Sequence, residues 1–388
     1  MRALWLSLAV PLVAAVAHGV GAPEPPPEAV IATLPFAPSQ EANRVMVDLA
    51  PEGGRPFVMM LDTGASDSVI TPGMARKLGV RVRRTKDTPY RRATRLGRDL
   101  QFWIDTQSSD TASRTGWEYG LLGATFLDDY VLEIDFPGRT VRFLDPKQYE
   151  VPEQVDAANE RVVELKLSSS RPLVPIQVKG KPLDVMLDTG DPGTGTLSGK
   201  AAREVGIDAK ALPYFGQAGT VLGPMQTHLL EESSFGLAGF SLGEVALLVA
   251  PKGWYNQGGP NDSTVGYDVL APFVTRIDYA RKRLWLKRVE SGPIRFQGAD
   301  YALAKQTGAF MSPVPGAYAV WAVTAGSPAA KLGVRVGDLI VSSDAIEDRA
   351  PPPDQVLRSI LEGKELLVAR KQGEVWVDTA LPEEPLSE

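Results

Sequence analysis

Cysteine is absent from the 388-residue chain. That excludes disulfides, thiolate nucleophiles and cysteine zinc sites. Histidine is nearly absent, with only His18 and His228. A serine–histidine triad would have to use His228, and no nucleophile elbow lies near it. A metal site would have to be almost entirely carboxylate, and none is called for; nor does any motif ask for a cofactor. Acid–base chemistry is left to the carboxylates. A strong basic excess is also lacking: the net charge is −6, which argues against a nucleic-acid partner. The one basic run, Arg81–Arg98, reads as the solvated face of a hairpin.

Long apolar runs are missing beyond the first residues. Residues 1–22 combine Arg2, a short apolar core containing Pro11, and small residues at Ala15–Ala17 and Val20–Ala22. This is the pattern of a secretory signal, too short for a membrane span. The expectation is a secreted or periplasmic product with no membrane span once the signal is removed. Residues 23–40, opening "PEPPPEA", read as an extended linker.

What the chain does have is a repeat. "RPFVMMLDTG" (55–64) lies over "KPLDVMLDTG" (181–190). "MARKLGV" (74–80) lies over "AAREVGI" (201–207), each a short amphipathic helix ending at Gly79 or Gly206. "LLGATFLDDYVLEIDFPGRTVRFL" (121–144) lies over "TVGYDVLAPFVTRIDYARKRLWL" (264–286). Three blocks recurring in one order describe two copies of a β-rich unit, at 41–146 and 160–288, with a polar linker at 147–159. Alternating and β-branched strand patterns dominate, so the fold class is mostly β.

Duplicated units tend to pack about a two-fold axis, which would bring Asp62 and Asp188 together. Two carboxyls about 3 Å apart do not both ionise easily. They titrate as a pair, one keeping a proton while the other is charged. The charged member can take a proton from a water, and the neutral one can donate to an amide carbonyl. Thr63 and Thr189 are placed to hydrogen-bond across the pair; Gly64 and Gly190 allow close backbone approach. Taken singly, either Asp is equally a turn residue after a buried strand. The duplication is what favours catalysis.

Asp-Thr-Gly-Ala-Ser at 62–66, a helix ending in Leu-Gly, "LLGATFL" and "LEIDF" resemble the retropepsin-like aspartic proteases, and "TVGYDVL…RIDY" repeats the pattern. The resemblance implies a bilobal fold of two fused retropepsin-like units with a cleft for extended peptides, catalytic Asp62 and Asp188, and supporting roles for Thr63, Gly64, Ser66, Thr189, Gly190 and Asp191. It also implies flaps. The hairpin-like "YFGQAGTVLGPMQTHLL" (214–230) is the candidate in copy two, with Gly219, Thr220 and Gly223 at its tip, and His228 is then an ordinary strand residue. The second motif departs from the pattern as Asp-Thr-Gly-Asp-Pro. If Asp191 points inward it raises the pair's titration range; the departure equally fits a lost activity.

Residues 300–384 change in texture: strand, Gly-Ser-Pro turn, short helix from Ser327-Pro328 to Gly333, a further strand, helix, and two strands. "SPAAKLGVRVGDLI" resembles the PDZ domains attached to bacterial secreted proteases. That resemblance implies strand addition of a peptide in a groove expected at Gly316, Ala317, Tyr318 and Val320, with capture of peptide C-termini less clearly encoded. The alternative is a domain that only braces the protease.

The reading that emerges is a secreted or periplasmic aspartic endopeptidase acting on peptides or unfolded proteins through Asp62 and Asp188. A PDZ module would recruit substrate or regulate access. The alternative is a peptide-binding adaptor on the same fold with weak or no turnover. A dicarboxylate glycosidase fits poorly, since it needs carboxyls ~5–9.5 Å apart beside aromatic platforms, and aromatics are 7% of the chain.

Overall fold

A computed structural model describes residues 21–37, 43–81, 89–104, 120–155, 158–220, 223–250, 263–314, 317–341, 352–372 and 375–382. The signal-like segment 1–20 lies outside the described residues.

The two copies meet in one six-stranded antiparallel sheet. Its order is Val30–Pro35, Thr140–Leu144, Val131–Asp135, Phe273–Asp278, Arg283–Arg288, Glu160–Glu164. At its centre the repeated "LEID" and "TRID" strands pair with each other, Glu133 opposite Arg276. Both residues are buried, and Arg276 Nε donates to Glu133 Oε2 at 2.5 Å. Arg142 Nε donates to the other carboxylate oxygen at 2.5 Å, and Arg276 stacks on Trp285, 4.1 Å from the ring centre. The charges are tolerated because each carboxylate oxygen and the guanidinium face are occupied.

Two expected linkers are part of this body. Val30–Pro35, within the stretch read as a linker, is an edge strand of the central sheet, paired with Thr140–Leu144. In the 147–159 stretch, Tyr149 and Val151 are buried against Val131, Leu144 and Trp285. The first is proline-rich and the second polar, yet each places an apolar side chain where the central sheet needs a cover.

Each copy adds a second sheet. In the first, Val58–Leu61 runs parallel to Gly120–Leu122; in the second, Lys181–Leu187 runs parallel to Thr264–Val265. The short helices follow the sequence expectation. Thr71 caps Pro72–Lys77 by accepting from Met74 N–H at 3.3 Å, and Ser198 caps Gly199–Glu204 by accepting from Ala201 N–H at 3.1 Å. Gly79 and Gly206 follow at φ +70° and +84°, a region other L-residues seldom adopt.

The C-terminal unit is a five-stranded antiparallel sheet in the order Ala309–Val314, Ala317–Val323, Leu339–Val341, Leu366–Gln372, Val375–Leu381. Helices Tyr301–Thr307, Pro328–Leu332 and Pro353–Leu361 accompany it. It shares an apolar cluster with the second copy, in which Phe215, Ala246 and Leu248 pack with Phe296, Tyr301 and Phe310.

Candidate active site

Val58–Leu61 and Lys181–Leu187 are buried strands whose C-terminal ends deliver Asp62 and Asp188. Asp62 N–H donates to Leu122 O at 3.1 Å and Asp188 N–H to Val265 O at 2.9 Å, so each loop starts from the same parallel pairing. The two carboxyls hydrogen-bond each other.

The threonines lock the loops reciprocally. Thr63 Oγ1 donates to Leu187 O at 2.6 Å and Thr189 Oγ1 to Leu61 O at 2.7 Å. Each hydroxyl also accepts the other threonine's backbone N–H, at 3.1 Å both ways. Both threonines are fully buried. A buried hydroxyl that donates and accepts across two chain segments fixes their separation. Gly64 and Gly190 are required here because a Cβ on either would overlap the carboxyl of the opposite aspartate.

The pair is not symmetric. Asp62 Oδ1 accepts from Gly64 N–H and Ala65 N–H, both at 2.9 Å; Asp188 Oδ1 accepts from Gly190 N–H at 2.9 Å. Burial pushes Asp62 up, but those N–H groups, the Asp188 proton and the Arg44 charge favour its ionised form. Burial pushes Asp188 well up, and the charges of Asp62 and Asp191 push it further. The additional Ala65 N–H and the Arg44 charge favour Asp62 as the charged member of the singly protonated pair.

Asp191 points inward. It is partly buried, its Oδ2 accepts from Thr264 Oγ1 at 2.8 Å and its Oδ1 from Gly193 N–H at 2.9 Å. Burial raises its own titration as well. Ser66 acts through its backbone, its carbonyl accepting from Thr125 N–H at 2.9 Å; the hydroxyl that steadies this loop is Ser68, which accepts from Gly123 N–H at 3.0 Å.

Four contributors escaped the sequence reading. Arg44 Nη1 donates to Gly190 O at 2.9 Å, crossing from the first copy to the second. Thr264 holds Asp191. Asn43 Nδ2 donates to Pro192 O at 3.0 Å and to Asp268 Oδ1 at 2.7 Å. Asp268 is buried, and its carboxyl is pushed up to about 7 by burial, against the Gly298 N–H that favours its charge. Thr264 and Asp268 lie within the repeat, where "TVGYD" stands against "LLGAT" in the first copy.

The expected flap is a hairpin of Tyr214–Thr220 and Gly223–Leu237, with Gly219 opposite Pro224 and Thr220 opposite Gly223; the two residues at its tip lie outside the described set. His228 is a strand residue there, with Nδ1 2.9 Å from Leu212 O. In the first copy Tyr90–Ala93 and Asp99–Ile104 form the corresponding hairpin.

The expected C-terminal groove is corrected. Ala317, Tyr318 and Val320 sit on an interior strand, paired to Ala309–Val314 on one side and Leu339–Val341 on the other, with all three side chains buried. A peptide cannot add to a strand whose two edges are taken. Gly316 lies outside the described residues. The edge strands are Ala309–Val314 and Val375–Leu381.

Among the described residues no cluster of three or more carboxylate or histidine groups is arranged to hold a metal. No helix among them is long and apolar enough to cross a membrane.

Residues 52–128 match the family model for a gag-polyprotein putative aspartyl protease, and residues 174–269 match that for an aspartyl protease. No curated protein matches the chain. A solved retropepsin-like aspartic protease from Rickettsia conorii is 20% identical; the match covers 32% of this chain and 97% of that one, with a TM-score of 0.27. Each matched segment holds one of the two Asp-Thr-Gly loops, so two separate segments of this chain are similar to aspartyl protease domains.

Proposed function

We propose that this protein is an aspartic endopeptidase whose two protease domains form a single two-lobed enzyme around Asp62 and Asp188. The carrying observation is the reciprocal threonine lock beneath two hydrogen-bonded carboxyls. Asp62, the charged member, takes a proton from a water held between the carboxyls. Asp188 donates its proton to the scissile carbonyl oxygen as the water oxygen bonds to the carbon. The resulting gem-diol collapses with transfer of a proton to the amide nitrogen, and the C–N bond breaks. The two hairpins would close over an extended peptide.

The product would be exported, with residues 1–22 as its signal, and would act in the periplasm or outside the cell. The C-terminal unit would serve as a PDZ module, taking a peptide as an added strand on the edge strand Ala309–Val314.

The test is cleavage of a diverse peptide library by mature protein from about pH 3 to 8, beside Asp62→Asn. Cleavage by wild type alone establishes the pair. No cleavage by either, with both folded, leaves the peptide-binding alternative that the Asp191-Pro192 departure suggests.

A further inference from the structure

Asp268 joins three separate parts of the chain. Its Oδ1 accepts from Asn43 Nδ2, on the segment entering the first copy's sheet, at 2.7 Å. Its backbone N–H donates to Gly193 O at 3.0 Å, while the neighbouring Tyr267 N–H donates to Asp191 O at 2.8 Å and Gly266 N–H to Thr194 O at 3.1 Å. Gly298 N–H lies 3.2 Å and 3.1 Å from its two carboxyl oxygens. The second catalytic loop is thus enclosed on one side by 266–268 and bridged by Asn43, which also holds Pro192 O.

The third part is the connector to the C-terminal unit. The Gln297 amide lies against Gly193, so that a Cβ there would overlap it. Asn43, Gln297 and Gly298 all sit in the left-handed region, at φ +61°, +54° and +77°. Such conformations persist where the surroundings over-determine them. Two residues beyond Gly298, Asp300 caps the helix Tyr301–Thr307, accepting from Leu303 N–H at 3.1 Å. Tyr301 then packs in the Phe215–Phe296–Phe310 cluster and donates through Oη to Glu231 at 2.6 Å, on the long hairpin of the second copy.

We propose that Asp268 is a positioning residue for Asp188: it fixes the 191–194 loop against the Gln297–Gly298 connector, so that the packing of the C-terminal unit is transmitted to the second catalytic aspartate. The inference rests on the endopeptidase reading. The charged groups that reach Asp268 are Asp191 on the loop, which disfavours its ionisation, and Arg295 on the connector, which favours it; Asn43 and Gly298 contribute neutral donors.

The test uses the full chain with Asp268→Ala, Asp268→Asn and Gly298→Ala. Asp268→Ala is expected to lower kcat about tenfold with KM nearly unchanged, as misplacement of a reacting group does. Asp268→Asn keeps an acceptor for Asn43 and should restore most of kcat. Asp268 is protonated below about pH 7, so this variant should leave the acid side of the profile in place. Gly298→Ala, which brings a Cβ 3.0 Å from Asn43 Nδ2 at positive φ, should reproduce the kcat loss without touching a carboxyl. Unchanged kcat in Gly298→Ala, with only a lowered melting temperature, overturns the proposal, as does an Asp268→Asn kcat no better than that of Asp268→Ala. If wild type cleaves nothing, the endopeptidase reading fails, and carboxyl-13C-aspartate NMR decides this one. Gly298→Ala, by displacing Asn43 and the loop behind Asp188, should lower the Asp188 titration midpoint by about half a unit or more; an unmoved midpoint overturns it. Should Asp268→Ala not fold, the other two variants carry the test.

Discussion

At the scale of single residues, the site is governed by who shares a proton with whom. Asp188 is held protonated by burial and by the charges of Asp62 and Asp191. Activity needs one proton on the pair, so the alkaline limb reports loss of the Asp188 proton. Asp191→Asn removes one of the charges that hold it there. The expected outcome is an alkaline limb displaced to lower pH with little change on the acid side, read from kcat/KM profiles. A second consequence concerns stability. Asp268 is pushed up to about 7 when folded, above its ordinary 3.8, so the folded chain binds that proton more tightly than the unfolded one. The stability it contributes is full below about pH 4 and is lost as pH rises through about 7, an effect of at most about 4 kcal/mol. Asp268→Asn should flatten the melting temperature between those pH values. The Asp-Thr-Gly loops were legible because local residues repeat together. Asp268 was not, because its partners Asn43 and Gly298 lie 225 and 30 residues away.

At the scale of elements, the central sheet joins the two copies through their own repeated strand. Arg276 is enclosed between Glu133, Trp285 and Tyr149. Removing one partner of a buried ion pair strands the other, at a cost of about 3–5 kcal/mol. Glu133→Ala should therefore lower stability by that order in denaturant unfolding. Replacing Glu133 and Arg276 together by apolar residues should recover part of it, and a double-mutant cycle measures the coupling. The short helices ending at Gly79 and Gly206 followed from local signals; their caps Thr71 and Ser198 came from the structure. The strand Val30–Pro35 did not: a proline-rich neighbourhood suggested a linker, and only the open edge of Thr140–Leu144 turned it into a sheet member. The C-terminal groove failed for a related reason. Strand identity was readable along 317–323, but whether that strand lies at an edge depends on its neighbours in space.

At the scale of the whole molecule, the C-terminal unit and the second copy share an apolar cluster at the base of the long hairpin. Phe296 meets Phe215 edge-on, with ring centres 5.5 Å apart, and Tyr301 at 5.4 Å. Truncating such a ring costs about 3–5 kcal/mol. Phe296→Ala is expected to loosen this junction, raising hydrogen exchange in the Tyr214–Leu237 hairpin and proteolytic nicking between residues 288 and 301. Exchange left unchanged in that hairpin would mean that the two parts move independently.

The sequence by itself determined the duplicated unit, the mostly β character, both aspartates with their threonines and glycines, the short helices ending at Gly79 and Gly206, and the exclusion of thiol and histidine-triad chemistry. All of these are properties of neighbouring residues or of a motif set against its own repeat. Only the tertiary structure decided which aspartate keeps the proton, that Asp191 faces inward, and that Arg44, Asn43, Asp268 and Gly298 converge behind the second loop. It also decided which strands of the C-terminal sheet lie at its edges. Those outcomes depend on burial and on hydrogen bonds between segments far apart in the chain, and no local pattern of side chains encodes which distant segment will supply the partner.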